Sequence, residues 1–199
     1  MKKIKKALIT GILLLCFLFT SFMAFGNRVL DDDMAMSIRK GDWIWYKDRP
    51  FKHGSIVVIQ DPLQPNQRLI RRVIATEGQQ VWYNRDGAFQ INDRRISQQE
   101  MGLITEDTQK QQRLIEENIG FVNTKKWIVI RNTDPVFWQM ENPITVPENH
   151  IFVAADRRDE AIDSRWWGAI PEGSVLGVVW LRVGKSDLWR DTIELLPSP

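Results

Sequence analysis

The chain has 199 residues, 43% of them apolar and 26% charged, enough to bury one sizeable core. That composition excludes a disordered chain, a collagen-like fibre and a many-span membrane protein. The net charge of +2 is segregated: Lys2, Lys3, Lys5 and Lys6 open the chain and all 25 acidic residues lie beyond residue 26, so the body is slightly acidic and offers no basic surface for nucleic acid.

Residues 7–26 carry no charge. Twenty residues rising ~1.5 Å each reach roughly 30 Å, the hydrocarbon thickness of a bilayer. A basic tail, residues 1–6, precedes this run and NRVLDDD follows it, so the positive-inside rule places the N-terminus in the cytoplasm and residues 27–199 outside the inner (plasma) membrane. Ala24-Phe25-Gly26 would suit a cleaved signal peptide, but the run exceeds the usual core of about 7–15 residues. The expectation is one retained anchor, 7–26, behind one extracytoplasmic domain. Cys16, the only cysteine, sits inside the run between Leu15 and Phe17 and reads as an apolar residue of the span.

From Trp43 onward the pattern predicts β structure. Trp43–Tyr46, Ser55–Gln60, Leu69–Ala75, Gln79–Tyr83 and Ala88–Asn92 are short aromatic or β-branched runs between Gly, Pro, Asn and Asp punctuation. Asn84-Arg-Asp-Gly87 predicts a hairpin turn. Trp127–Arg131, His150–Ala154 and Val175–Val183 complete a mainly β set without intervening helices, which predicts a barrel or paired antiparallel sheets. Gln99–Asn118, within a polar insertion at 98–125, reads instead as a helix or a flexible segment with a thin stripe of Leu114, Ile115 and Ile119. The tail from Ser186 to Leu196 reads as a short amphipathic helix with Leu188, Trp189, Ile193 and Leu196 on one side. Nine tryptophans suit a β core, and Trp43 and Trp45, close to the anchor, are candidates for the bilayer surface.

Five stretches resemble the boxes of bacterial type I signal peptidases, membrane-anchored Ser/Lys proteases that remove signal peptides. Asp33-Met-Ala-Met-Ser-Ile-Arg-Lys-Gly41-Asp42 matches the nucleophile box, Ser-Met-x-Pro-Thr-Leu-x-x-Gly-Asp. Gly54-Ser-Ile-Val-Val58 resembles Gly-Asp-Ile-Val-Val, and Ile70-Arg-Arg-Val-Ile74 with Gly78 resembles the box carrying the catalytic lysine. Ile91-Asn92 matches an Ile-Asn-Gly turn. Ala155-Asp156-Arg-Arg158, Asp163-Ser164-Arg165 and Gly168 resemble the last box, followed by Pro171 and Gly177. The resemblance covers residues 1–183 apart from the Gln-rich insertion, and it implies a signal-peptidase-like antiparallel β domain whose peptide groove faces the membrane.

The resemblance puts Asp33 at the serine position and Arg71, 38 residues on, at the lysine position. A carboxylate is a poor nucleophile toward an amide, and a guanidinium stays protonated and cannot act as general base. Met36 replaces the Pro of the first box, Ala155 and Arg157 replace Gly and Asn in the last, and Ala161 replaces the Ser that helps orient the lysine. Gly41, Asp42, Arg72, Asp156, Arg158, Asp163, Ser164, Arg165 and Gly168 are kept as structural motif residues. No catalytic residue is therefore expected; Ser37, with Lys40 and Lys47 nearby, is the fallback nucleophile. His53 and His150 lie away from the lysine position, and Asp31-Asp32-Asp33 reads as an acidic linker rather than a metal site or acid dyad. There is no Cys/His cluster, glycine-rich phosphate loop or dinucleotide fingerprint, so no metal or cofactor is expected. The resemblance to silent relatives at pilus loci implies a membrane pseudoenzyme that scaffolds or binds a peptide, pilin or membrane-complex subunit; the alternative is an active serine endopeptidase using Ser37.

Overall fold

The computed structural model describes residues 10, 11, 14, 26–105, 111–119, 126–133, 140–185 and 191–195. The expected tail and anchor fall almost wholly outside these residues; among the described residues no helix is long and apolar enough to cross a membrane.

The architecture is mainly β and antiparallel. The largest sheet runs β1 (Asn27–Arg28), β2 (Trp43–Lys47), β14 (Val175–Lys185), β3 (Ile56–Gln60), β4 (Arg68–Thr76), β12 (His150–Ala154) and β13 (Ile170–Pro171), with β15 (Asp191–Leu195) paired to β14. A second sheet orders β11 (Ile144–Thr145), β5 (Gln80–Tyr83), β6 (Phe89–Ile91) and β7 (Arg94–Arg95). A third orders β10 (Lys126–Asn132), β9 (Gln111–Asn118) and β8 (Ser97–Thr105). The one-turn helix α1 spans Ser164–Trp167.

The unbroken apolar run of β3 is explained by its position: both faces of the sheet are buried there. Ile56 and Val58 enter a cluster with Met34, Ile38 and Ile70, whereas Val57 and Ile59 enter one with Val73, Ile151 and Val153. A third cluster, around Tyr83, Phe89, Trp127 and Phe152, joins the second and third sheets to the first. The Asn84–Gly87 turn forms as expected. Gly87 takes φ 77°, and the Arg131 guanidinium lies where a side chain there would stand.

Three expectations fail. Gln99–Asn118 is neither helix nor loop: most of it forms β8 and β9, paired antiparallel from Ser97↔Asn118 to Thr105↔Gln111. Of its three buried residues in β9, Gln112 and Glu117 are polar and only Ile115 is apolar, so hydrophobic periodicity could not reveal the strand. The tail is not helical over 191–195, where Asp191–Leu195 pairs with Leu181–Lys185; Ser186, Leu188, Trp189 and Leu196 lie outside the described residues. An exposed amphipathic pattern of that length fits either element, and the free edge of β14 decides it. Trp45 is also not a surface residue: it is 5% exposed and packs with half-buried Trp43 against Gly26.

Candidate active-site region

The turn that follows β1 is pinned from below. Met34 and Ile38 are buried in the core, which fixes the intervening residues and presents Asp33 toward β4. Arg157 N–H donates to the Asp33 carbonyl at 2.9 Å, and Asp33 N–H donates to Asp31 Oδ1 at 3.1 Å. Inside the turn Met36 adopts φ 84°. Proline is locked near −65°, so the backbone has departed from the Pro-bearing box together with the sequence.

Asp33 and Arg71 meet. Arg71 Nη2 lies 2.8 Å from Asp33 Oδ2; the arginine side chain is 2% exposed and the aspartate 28%. The rest of the guanidinium is occupied by carbonyls. Nη1 donates to Ile70 O at 2.7 Å, and Nη2 and Nε donate to Ile162 O at 2.8 and 3.3 Å. Burial of Arg71 is compensated by one charge and two carbonyls, the condition for keeping a buried guanidinium. Chemically the carboxylate is a poor nucleophile toward an amide, and the guanidinium stays protonated and cannot take a proton from a hydroxyl. Ala161 contributes no hydroxyl beside it. A cavity of about 150 Å³ lies against the same loop, lined by Ala161, Ile162, Arg165 and Trp166 among others.

Ser37 is in a different network. Its Oγ donates to Asp156 Oδ2 at 2.6 Å and accepts from Arg72 Nη2 at 2.7 Å. Arg72 grips Asp156 through Nε and Nη2 at 2.8 and 2.5 Å, donates to Gly54 O at 2.9 Å, and stacks over Trp127 at 4.9 Å. The bonds of this hydroxyl go to a carboxylate and a guanidinium and to no amine. Lys40 is exposed and Lys47 lies over the Trp180 ring. His53 is bonded to Gln79 Oε1 at 2.7 Å, and burial pushes its imidazole below the usual histidine value. His150 Nδ1 faces the carbonyl of Glu148.

Burial, followed by the negative charge of Asp33, raises the Asp31 carboxyl above its ordinary value. Asp32 Oδ1 accepts from Lys40 N–H. Among the described residues no three acidic, His or Cys side chains are grouped to hold a metal ion.

The retained motif residues build the frame around the pair. Asp163 caps α1 and takes Arg165 Nε and Nη2, each at 2.8 Å, and Ala155 N–H at 2.9 Å. Burial alone would push its carboxyl up, but the Arg165 guanidinium and these hydrogen bonds hold it below the usual carboxylate range. Ser164 Oγ accepts from Val153 N–H, and Gly168, at φ 82°, ends the turn. Asp42 takes Arg182 Nε at 2.7 Å, and Gly41 N–H donates to Val29 O. Arg158 is fully buried, bonded to the Ala155 carbonyl and, at 2.5 Å, to Glu117 Oε2. Glu117, which also accepts from Trp127 Nε1 at 2.9 Å, lies in the Gln-rich segment and carries no motif signal in the sequence.

The family model for signal peptidase, peptidase S26, matches residues 1–183. The chain belongs to that family. It is 27% identical over 144 residues to signal peptidase I of Pseudomonas fluorescens, covering 65% of this chain and 49% of that protein. It is 24% identical to signal peptidase I of Buchnera aphidicola subsp. Acyrthosiphon pisum, covering 88% and 74%, and 25% identical to thylakoidal processing peptidase 1 of Arabidopsis thaliana, covering 84% and 40%. The chain thus spans about half the length of the Pseudomonas relative. A crystal structure of signal peptidase I from Enterococcus faecalis aligns at TM-score 0.41 and 23% identity, covering 66% of this chain and 98% of that one.

Proposed function

We propose that this S26-family chain is a catalytically silent, membrane-anchored protein that holds an extended segment of a secreted or membrane partner without cutting it, as a scaffold in pilus or envelope-complex assembly. The observation that carries this reading is the Asp33–Arg71 ion pair, 2.8 Å long, where the family resemblance calls for an attacking hydroxyl and a neutral amine. The open stretch of β4 supports the binding part. Main-chain hydrogen bonds along a sheet edge hold an extended peptide without any chemistry. Residues 7–26 supply the anchor in this reading, and the domain stands outside the inner membrane.

The Ser37 alternative draws less support, since that hydroxyl is tied to Asp156 and Arg72 rather than to an amine. The test is incubation of the purified full-length chain with a signal-peptide-bearing preprotein. The expected result is intact preprotein with wild type and with Asp33→Ala. Cleavage that disappears in Asp33→Ala would end the reading, and cleavage that disappears only in Ser37→Ala would establish the alternative.

A further inference from the structure

The edge at which a peptide would add is partly occupied by the chain itself. Val73 N–H donates to Ser55 O and its carbonyl accepts from Gly54 N–H, so Val73, Arg71 and Leu69 address β3 while Arg68, Ile70 and Arg72 address the other side. On that side β12 reaches only as far as Ala154↔Arg72. The next residue turns away, with Ala155 N–H donating to Asp163. Among the described residues no strand pairs with Ile70 and Arg68 on that side.

Arg71 reaches to that side of β4, the lane a peptide would take. Its Nη1 holds the Ile70 carbonyl at 2.7 Å, and Nη2 of the same group holds the Ile162 carbonyl at 2.8 Å, so the two oxygens lie within one guanidinium's width. An added strand would run about 4.8 Å from β4, in the place this bridge takes. Asp33 closes the third side through Oδ2. One side chain thus ties together the strand edge, the loop before α1 and the turn at Asp33.

We infer that Arg71 is a latch on the peptide lane: a through-running segment pairs with β4 beyond Arg68 only when the guanidinium releases the Ile70 and Ile162 carbonyls. This rests on the peptide-binding reading above. The latch consists of one ion pair, open to solvent on the Asp33 side, and three hydrogen bonds to two carbonyls, so its opening breaks local contacts and no strand pairing. Asp33 sets its tightness, because it is the one charged contact and also the exposed one.

The experiment uses the full chain in mild detergent and a fluorescein-labelled synthetic peptide, a leucine-rich stretch ending in Ala-Leu-Ala, followed by fluorescence anisotropy. If the closed form holds about nine-tenths of the population, Arg71→Ala binds about tenfold more tightly than wild type. Asp33→Asn, which keeps the two carbonyl contacts, falls between them. Equal affinity in all three proteins, at unchanged far-UV circular dichroism, overturns the latch and leaves peptide binding standing. Absence of binding in all three overturns both. Should Arg71→Ala fail to fold, Asp33→Asn decides alone: tighter binding than wild type supports the latch, and equal or weaker binding overturns it.

Discussion

Within the large sheet, β3 buries Ile56, Val57, Val58 and Ile59 with no polar atom among their side chains. Within the three-stranded sheet, β9 turns Gln112 and Glu117 inward, and each is met by an arginine. The first interior is held by removal of apolar surface from water, which is non-directional and tolerant of small changes of shape. The second adds to the apolar packing of Ile115, Trp127 and Val129 a set of directional charge-assisted bonds whose members are individually expensive to orphan. Glu117 shows how concentrated that dependence is. Its Oε2 serves Arg158 and Trp127 Nε1, and its Oε1 accepts from Gln98.

The largest effect expected from this contrast is therefore at Glu117. Glu117→Ala leaves the Arg158 guanidinium, at 0% exposure, with only the Ala155 carbonyl, and costs about 3–5 kcal/mol. The measurement is the midpoint of urea unfolding at constant slope. A loss below about 1 kcal/mol would mean that the apolar contacts of Ile115, Trp127 and Val129 hold the third sheet without help from the polar pairs. Ile59→Val is the matched change in the apolar region. It removes one methylene from a fully buried site and should cost about 0.5–1.5 kcal/mol in the same titration. The comparison collapses if the two variants lose equal stability.

The same contrast explains what could be read from the chain. Strands β2 to β6, β10, β12 and β14 are legible because apolar and aromatic runs alternate with turn residues, β3 as an unbroken run; the two-residue strands β1, β7, β11 and β13 are too short to show a period, and β15 reads as a helix. Asp33 and Arg71 were visible through motif order, and the structure places them in contact. Strand β9 was not visible, because an inward Gln or Glu is indistinguishable from a solvated one until its arginine is found. Nor was the positive φ of Met36, a backbone strain that a non-glycine residue hides. Arg71 could be paired with Asp33 on chemistry alone, but its second role, spanning Ile70 and Ile162, needed the fold.

The smallest effect belongs to His53, which sits beside the apolar region yet behaves like the polar one. Its Nε2 meets Gln79 Oε1, which also accepts from Thr76 N–H at 2.8 Å, so Nε2 carries a hydrogen and donates it to that oxygen. Burial lowers the imidazole from its ordinary 6.5, partly opposed by the Gln79 bond. Over the interval from 6.5 down to the lower folded value, the unfolded chain binds more protons than the folded one. Stability is therefore complete above 6.5, declines as the pH falls through that interval, and levels off below the folded value. His53→Asn removes the titration, and its unfolding midpoint should be flatter than that of wild type across this window. A wild-type midpoint that stays level on mild acidification, or an unchanged slope in the variant, would show that His53 is solvated rather than enclosed; a fall confined to wild type ties the pH response to the burial of the His53 ring and not to the carboxylates around Arg71.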